Sequence, residues 1–275
     1  MTATKLISIS SLTSSYEPTA LVGALDPLWR ERGYEIAMGG AYDPKADVAI
    51  LHHNLSCLDP ACLPTPPSGV NLVNGRALDI RKRRYSELSL KPGDNWDGQV
   101  IVKTDENHFG MPERRQRRRP LLERLRTRLA NRNWKLARRL PHRTYPVLDS
   151  IDEVPRWVWR DQRYLVERFM PERDGEYFCI RGWLFFGDRG YGYRIFSHDP
   201  MAKVETMVDY EYLRDFPESL YRARRKAGVD FGKIDYVMHG DRAIVLDINK
   251  TPTFGGDPRS PRLQDLSFGI DEFLK

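Results

Sequence analysis

The chain opens on an alternation of apolar and small polar residues, Lys5-Leu6-Ile7-Ser8-Ile9-Ser10-Ser11-Leu12, with the two-residue period of a strand. From Thr19 to Gly33 the spacing becomes helical and closes on Gly33, with Pro27 expected to end or kink the helix early. Asp47–His53 and Val70–Asn74 are two further apolar runs of strand length, separated by a Pro/Cys loop from Asp59 to Pro67. Strand, helix, strand and strand predict a small α/β lobe with a partly parallel sheet over residues 1–76.

Ala77 to Leu90 carries a helical, basic pattern, broken by Pro92-Gly93-Asp94-Asn95. Gln99–Thr104 is an apolar strand with Lys103 at its end, followed by the polar loop Asp105-Glu106-Asn107-His108-Phe109-Gly110. Leu122, Leu125, Leu129, Leu136 and Leu140 then recur at about the helical period. Arg163–Met170 and the aromatic-rich Gly175–Phe186 read as strands, and Tyr191–Phe196 returns as a hairpin partner. Glu211–Gly228 is expected to be a helix with Arg222, Arg224, Arg225 and Lys226 at its C-terminal end, where the dipole favours cations. Last come two apolar runs, Gly232–Met238 and Ala243–Pro252, around the turn tetrapeptide His239-Gly240-Asp241-Arg242. No internal repeat is present.

Composition changes this picture in one place. With 275 residues, 40% hydrophobic and 30% charged, the chain has the make-up of a folded globular protein. No apolar run approaches the roughly 20 residues needed to span a bilayer, and the N-terminus lacks the pattern of a signal peptide. Three cysteines (Cys57, Cys62 and Cys179) without CxxC spacing fit a reduced, cytoplasmic setting. The charge is uneven. Residues 112–143 hold thirteen Lys or Arg against two Glu, a net of +11, so the remainder of a chain that totals +6 carries −5. Arg124, Arg128, Arg132, Lys135 and Arg139 take much of the circumference left by the leucines, giving a basic amphipathic helix with Trp134 along it. A solvated helix face, a contact with an anionic membrane surface and a docking surface for an acidic partner all fit segment 114–143. Without an aromatic-interleaved reading surface, nucleic acid is not the partner this pattern favours.

Candidate chemistry concentrates in the last hairpin. Asp235 lies on its first strand, and Asp247 and Asn249 lie two apart on its second, so strand alternation sends all three to one face. Two carboxylates and an amide suit a hard cation held partly by protein and partly by phosphate, although the same residues would also serve as a solvated acidic face. Lys103, at a strand end before a loop with Gly110, is a candidate phosphate contact. His52 and His53 have no third ligand at metal spacing, which favours a structural role.

Taken in order, Lys103, the Gly110 loop, the strand with Glu167 and the Asp235…Asp247-x-Asn249 hairpin resemble the ATP-grasp superfamily from about residue 75 onward. The likeness is to its D-alanine–D-alanine ligase and glutathione synthetase side, where a Gly-x-Ile-Asp strand is followed by one ending Glu-x-Asn-x-x-Pro. Here these stand as Gly232-Lys233-Ile234-Asp235 and Leu246-Asp247-Ile248-Asn249-Lys250-Thr251-Pro252. Asp247 replaces the usual Glu, and the lid loop has one glycine where many relatives have several. The resemblance implies an α+β ATP-grasp domain over 77–275, behind the α/β lobe of 1–76. Within that domain, about 95–166 would form a lid lobe that includes the basic insertion 112–143, and 167–275 a metal-binding lobe.

The resemblance further implies ATP and Mg2+. Asp235, Asp247 and Asn249 would bind the metal, and Lys103 and Lys82 the phosphates. Glu167, Arg168, Phe169 and Met170 would line the adenine, Glu176 would meet the ribose, and Gly110 would sit over the triphosphate. Arg181 and Arg194 are the candidates for steadying an acyl-phosphate oxygen. The implied activity is ligation of a small-molecule or peptide carboxylate to an amine. A kinase acting on a hydroxyl of an anionic substrate and a nucleotide-binding module without turnover are the alternatives. The setting implied is cytoplasmic, with peripheral contact at a membrane left open by segment 114–143.

Overall fold

The structure, a computed structural model, describes residues 4–13, 15–116, 121–202 and 204–274. The chain begins with β1 (Leu6–Ser11), α1 (Leu21–Glu31), β2 (Glu35–Gly39), β3 (Val48–His52) and β4 (Asn71–Val73). These strands form one parallel sheet in the order β2-β1-β3-β4. The α/β lobe is as the periodicity suggests, with β2 added from a stretch whose pattern is too irregular to mark it. α1 runs through Pro27 without stopping, because Leu21, Val22, Leu25, Leu28 and Trp29 form a continuous buried stripe. Burial of five large side chains outweighs the one hydrogen bond that proline forfeits.

Next come β5 (Ser89–Leu90), β6 (Val100–Thr104), α2 (Met111–Gln116), α3 (Leu121–Ala130), α4 (Trp134–Ala137), β7 (Val147–Leu148), α5 (Arg156–Arg160) and β8 (Tyr164–Arg168). The strands make an antiparallel sheet in the order β5-β8-β6-β7. The helix expected over 77–90 is not there. The Lys82 and Arg83 amides donate instead to the backbone and side chain of Asp105, Lys82–Arg84 is a single 3-10 turn, and Ser89–Leu90 pairs with β8. Tertiary hydrogen bonds override helical propensity at this point. The long basic helix is divided as well. Asn133 caps α4 through its side chain, which accepts from the Leu136 amide at 3.0 Å, and Asn131 accepts from the His142 amide at 2.8 Å. Asparagine side chains offer the backbone an alternative to helix continuation. The expected run Arg117–Pro120 and the side chains of residues 121–125 lie outside the described set.

The last stretch holds β9 (Glu172–Asp174), β10 (Tyr177–Phe186), β11 (Arg189–Ser197), β12 (Met207–Leu213), α6 (Glu218–Ala227), β13 (Phe231–His239), β14 (Arg242–Asn249) and α7 (Pro261–Ser267). Five strands follow the order β12-β11-β10-β13-β14, and β9 pairs with β10. The helix expected from Glu211 is β12 up to Leu213, and α6 begins only after Pro217. Proline has no N–H to extend a helix backwards and biases its predecessor to extended backbone.

Two compact units result. One comprises Met1–Asn54, Leu58–Asp79 and Arg173–Lys275; the other comprises Leu55–Cys57 and Ile80–Glu172. In the first, one core takes Ile7, Ile9, Leu25 and Trp29 from the N-terminal stretch together with Phe186, Phe231, Leu263 and Leu266. Val100, Val102, Val158 and Val166 centre the core of the second. Among the described residues no helix is long and apolar enough to cross a membrane.

Asn74 ties the two ends of the first unit together. Fully buried and at φ +62, it donates through Nδ2 to the Phe231 carbonyl at 2.8 Å. Its Oδ1 accepts from the Asp230 and Phe231 amides at 2.8 and 3.0 Å. Asn74→Ala leaves these backbone groups unmet in a dry site, and unfolding in urea should show a loss of about 3 kcal/mol. A loss of only a few tenths would mean that solvent reaches them.

Candidate functional site

The β13–β14 hairpin turns at Gly240-Asp241, with Gly240 at φ +58 and His239 opposite Arg242. Its register seats Asp235 directly across from Asp247 and Lys233 across from Asn249. These four side chains therefore share one face. A bulge follows between Asp235 and Tyr236. Two carboxylates directly opposite repel unless a cation intervenes, and Lys233 supplies one: its Nζ is 3.0 Å from Asp235 Oδ2 and 3.5 Å from the Tyr193 hydroxyl. Burial by itself lowers the pKa of Lys233, but Asp235, Tyr193 and Asp247 together outweigh it and hold the ammonium above its ordinary value. Asn249 is buried, and its Oδ1 accepts from the Thr251 amide at 2.9 Å and from the Thr251 hydroxyl at 3.5 Å, which fixes the side chain.

This donor set fits Mg2+. It is all oxygen, carries two negative charges, and leaves most of an octahedral shell to phosphate oxygens and water. Among the described residues no group of three or more His, Cys, Asp or Glu could hold a metal without such help.

Arg181 and Arg194 lie on the other face. Arg181 stands opposite both Arg194 and Tyr236, whereas Asp235 stands opposite Gly182. Neighbouring positions on a strand point in opposite directions. Arg194 meets Asp174 at 2.9 Å and Glu211 at 3.5 Å, and its guanidinium lies 4.7 Å from the Phe196 ring centre. Glu176 is exposed and lines a hollow of about 420 Å3 with Asp174, Tyr177, Phe196 and Asp209.

The second unit carries the lysines. Lys103, at the end of β6, and Glu167, on the adjacent β8, form a buried ion pair at 2.6 Å, with side chains 9% and 1% exposed. Lys82 is buried too, its Nζ within 3.1 Å of Asn107 Oδ1 and 3.2 Å of the Glu106 carbonyl. The Arg168 and Phe169 amides donate to the Leu88 and Gln99 carbonyls, so neither is available to a base edge. Arg168 also donates to the Glu87 carbonyl at 2.7 Å, and Phe169 and Met170 are half-buried beyond it. Gly110 is buried in a left-handed run, His108, Phe109 and Gly110, at φ +46, +57 and +65. Only the glycine adopts such backbone without strain; Arg114 braces the end of the run by donating to the Phe109 and Gly110 carbonyls.

Lys233 and Thr251 are the residues that sequence reasoning passed over. The signal for Lys233 was its place two residues before Asp235, on the same side of the strand. His53 Nε2 is 2.9 Å from Ser10 Oγ, and His52 is buried at the end of β3.

No family model matches the sequence, and no curated protein sequence matches it. Solved structures do. The chain resembles the ATP-grasp ligase PsnB complexed with minimal precursor, at 12% identity and TM-score 0.53, over 99% of each chain. It also resembles the macrocyclase MdnC bound with precursor peptide MdnA from Microcystis aeruginosa. There the identity is 10% and the TM-score 0.51, over 98% of this chain and 99% of that one. At such identities the likeness is one of fold.

Two buried groups give measurable consequences. Desolvation, reinforced by His53, lowers the His52 pKa from 6.5 to about 4. The unfolded chain therefore binds the extra proton first as pH falls. Stability held above about pH 6.5 should decline through pH 4, by about 3 kcal/mol in total. In His52→Phe that part of the acid-side slope should vanish from urea midpoints; an unchanged slope would locate the effect elsewhere. Lys103→Met leaves the Glu167 carboxylate buried alone and should cost about 3–5 kcal/mol. Adding Glu167→Gln should recover much of that loss, and failure to recover would show that the pair is not the cause.

Proposed function

On a chain that has the ATP-grasp fold, we propose an ATP- and Mg2+-dependent ligase that activates a carboxylate as an acyl phosphate and joins it to an amine. The observation that carries this reading is the set Asp235, Asp247, Asn249 and Lys233 on one face of a single hairpin. A magnesium ion there would supply charge neutralisation for the transferring phosphoryl group. Asp235, Asp247 and Asn249 would hold and orient it. Lys233, kept cationic by its carboxylate neighbours, stabilises negative charge that develops on phosphoryl oxygens.

In this reading Lys103 and Lys82 bind nucleotide phosphates, Glu167 to Met170 line the adenine, Glu176 takes the ribose, and Gly110 belongs to the loop over the triphosphate. Lys233, not Arg181 or Arg194, is the cation beside the metal ligands, because the two arginines face away from them. The carboxylate oxygen attacks the γ-phosphorus and ADP leaves. The amine then attacks the carbonyl carbon of the acyl phosphate, giving an amide, phosphate and a proton. No protein nucleophile is required.

A peptide carboxylate is one substrate class that suits the reading, since two structures of this fold are described with a precursor or a precursor peptide. A cytoplasmic setting accords with three free cysteines, two of them exposed. The basic segment 114–143 would recruit an acidic partner or an anionic membrane surface.

The test is ADP release against pools of carboxylates and amines, with hydroxylamine replacing the amine to trap acyl hydroxamate. Asp247→Ala and Asn249→Ala should each lower turnover by about a hundredfold or more while the protein stays folded at assay temperature. Lys233→Met should lower kcat more than it weakens nucleotide binding. Undiminished turnover in Asp247→Ala would sink the assignment.

A further inference from the structure

One feature of the second unit has no part in the nucleotide chemistry. The C-cap of α4, the helix α5 and the turn after it surround a hollow of about 640 Å3, lined by Arg138, Arg156, Trp157, Arg160, Asp161 and Gln162. Arg156 and Arg160 stand one helical turn apart, on the same side of α5. Arg138 arrives from α4 in left-handed backbone, φ +48 and ψ +45, a conformation unusual for a residue with a Cβ. All three arginines are exposed, and among the described residues none has a carboxylate partner. The carboxylate in the wall, Asp161, is engaged by Arg163 at 2.6 Å. That hydrogen bond holds its pKa below the usual range. The hollow is thus lined by three uncompensated guanidinium groups.

Its floor is rigid. The Trp157 indole N–H donates to the Lys135 carbonyl at 3.2 Å, and its ring meets Trp134 and Tyr164 edge-on at 5.9 and 5.3 Å. Near it, two residues before Arg138, Leu136 is 74% exposed. Guanidinium forks bind carboxylates in pairs of parallel hydrogen bonds. Exposed leucine favours a ligand that carries apolar groups as well. The Gln162 side chain, also in the wall, offers an acceptor for a peptide N–H group. Trp157 is locked at its edges by other rings rather than presented as a stacking platform, which separates this site from a single-stranded nucleic-acid groove.

The geometry points to a docking site on the second unit for an acidic peptide segment with interspersed apolar residues, whose carboxylates pair with Arg138, Arg156 and Arg160 beside Trp157. This assignment stands independently of the ligase reading, because none of these residues belongs to the nucleotide or metal machinery.

The test uses the full chain and a short fluorescein-labelled peptide rich in glutamate with interspersed leucine, followed by anisotropy. Binding should weaken as the screening length falls from about 30 to about 8 Å between low and physiological salt. The double variant Arg156→Glu, Arg160→Glu should lose about tenfold or more in affinity. Arg222→Glu, an exposed charge reversal of the same kind on α6, should leave affinity unchanged. A peptide with glutamine in place of glutamate should not bind. Both variants change exposed side chains, so their melting temperatures should match that of the parent. Absence of peptide binding overturns the proposal, as does binding unaffected by the double variant. An equal loss in Arg222→Glu would make the attraction a diffuse field, and tighter binding of single-stranded RNA of equal charge would make the ligand a nucleic acid; either result also overturns it.

Discussion

Two carboxylates, Asp235 and Asp247, face each other across an antiparallel ladder, and much else in the chain follows from that opposition. Placed so, they repel, and the arrangement stands because Lys233 lies on the same face, 3.0 Å from one of them. A slip of one residue in the β13–β14 register would turn the acidic side chains to the opposite face. Register is therefore defended from several sides. The Gly240-Asp241 turn sets it at one end, the bulge after Asp235 marks the middle, and Asn74 grips the start of β13 at the other end. The shared core that joins Trp29 to Phe186 and Phe231 holds the same hairpin from its flank.

The second unit applies a related rule with the charges reversed in emphasis. Lys103 is withdrawn from water and held by Glu167, and Lys82 by the Asn107 side chain and a backbone carbonyl. Buried charges of this kind are tolerated only with partners in good geometry. Such a pair does little for stability by comparison with an apolar replacement. The left-handed run at His108–Gly110, braced by Arg114, is also a costly local conformation kept by its surroundings.

Legibility from the sequence varied with the range of the forces involved. The strands β1, β3, β10, β11, β13 and β14 were readable because alternation and burial agree locally. The helix expected over 77–90 failed because Asp105, distant in sequence, supplies hydrogen bonds that a helix would otherwise make internally. β12 was hidden because Glu211 to Gly228 has good helical composition, and only Pro217 marks where the helix beginning at Glu218 starts. Among the candidate residues, Asp235, Asp247 and Asn249 come together as strand parity predicts. Arg181 and Arg194 do not join them, because face depends on the pairing of three strands and not on any one.

By itself the sequence determined the hairpin, the order of its acidic residues and the lysine at the end of β6, since each depends on side-chain alternation within a few neighbouring positions. Tertiary structure alone decided that Lys233 compensates the opposed carboxylates, that Lys103 is paired with Glu167, and that three arginines meet around Trp157. Each of these depends on side chains brought together by pairing or packing. Periodicity along a chain records which way a residue points, whereas only the folded arrangement records what it then meets.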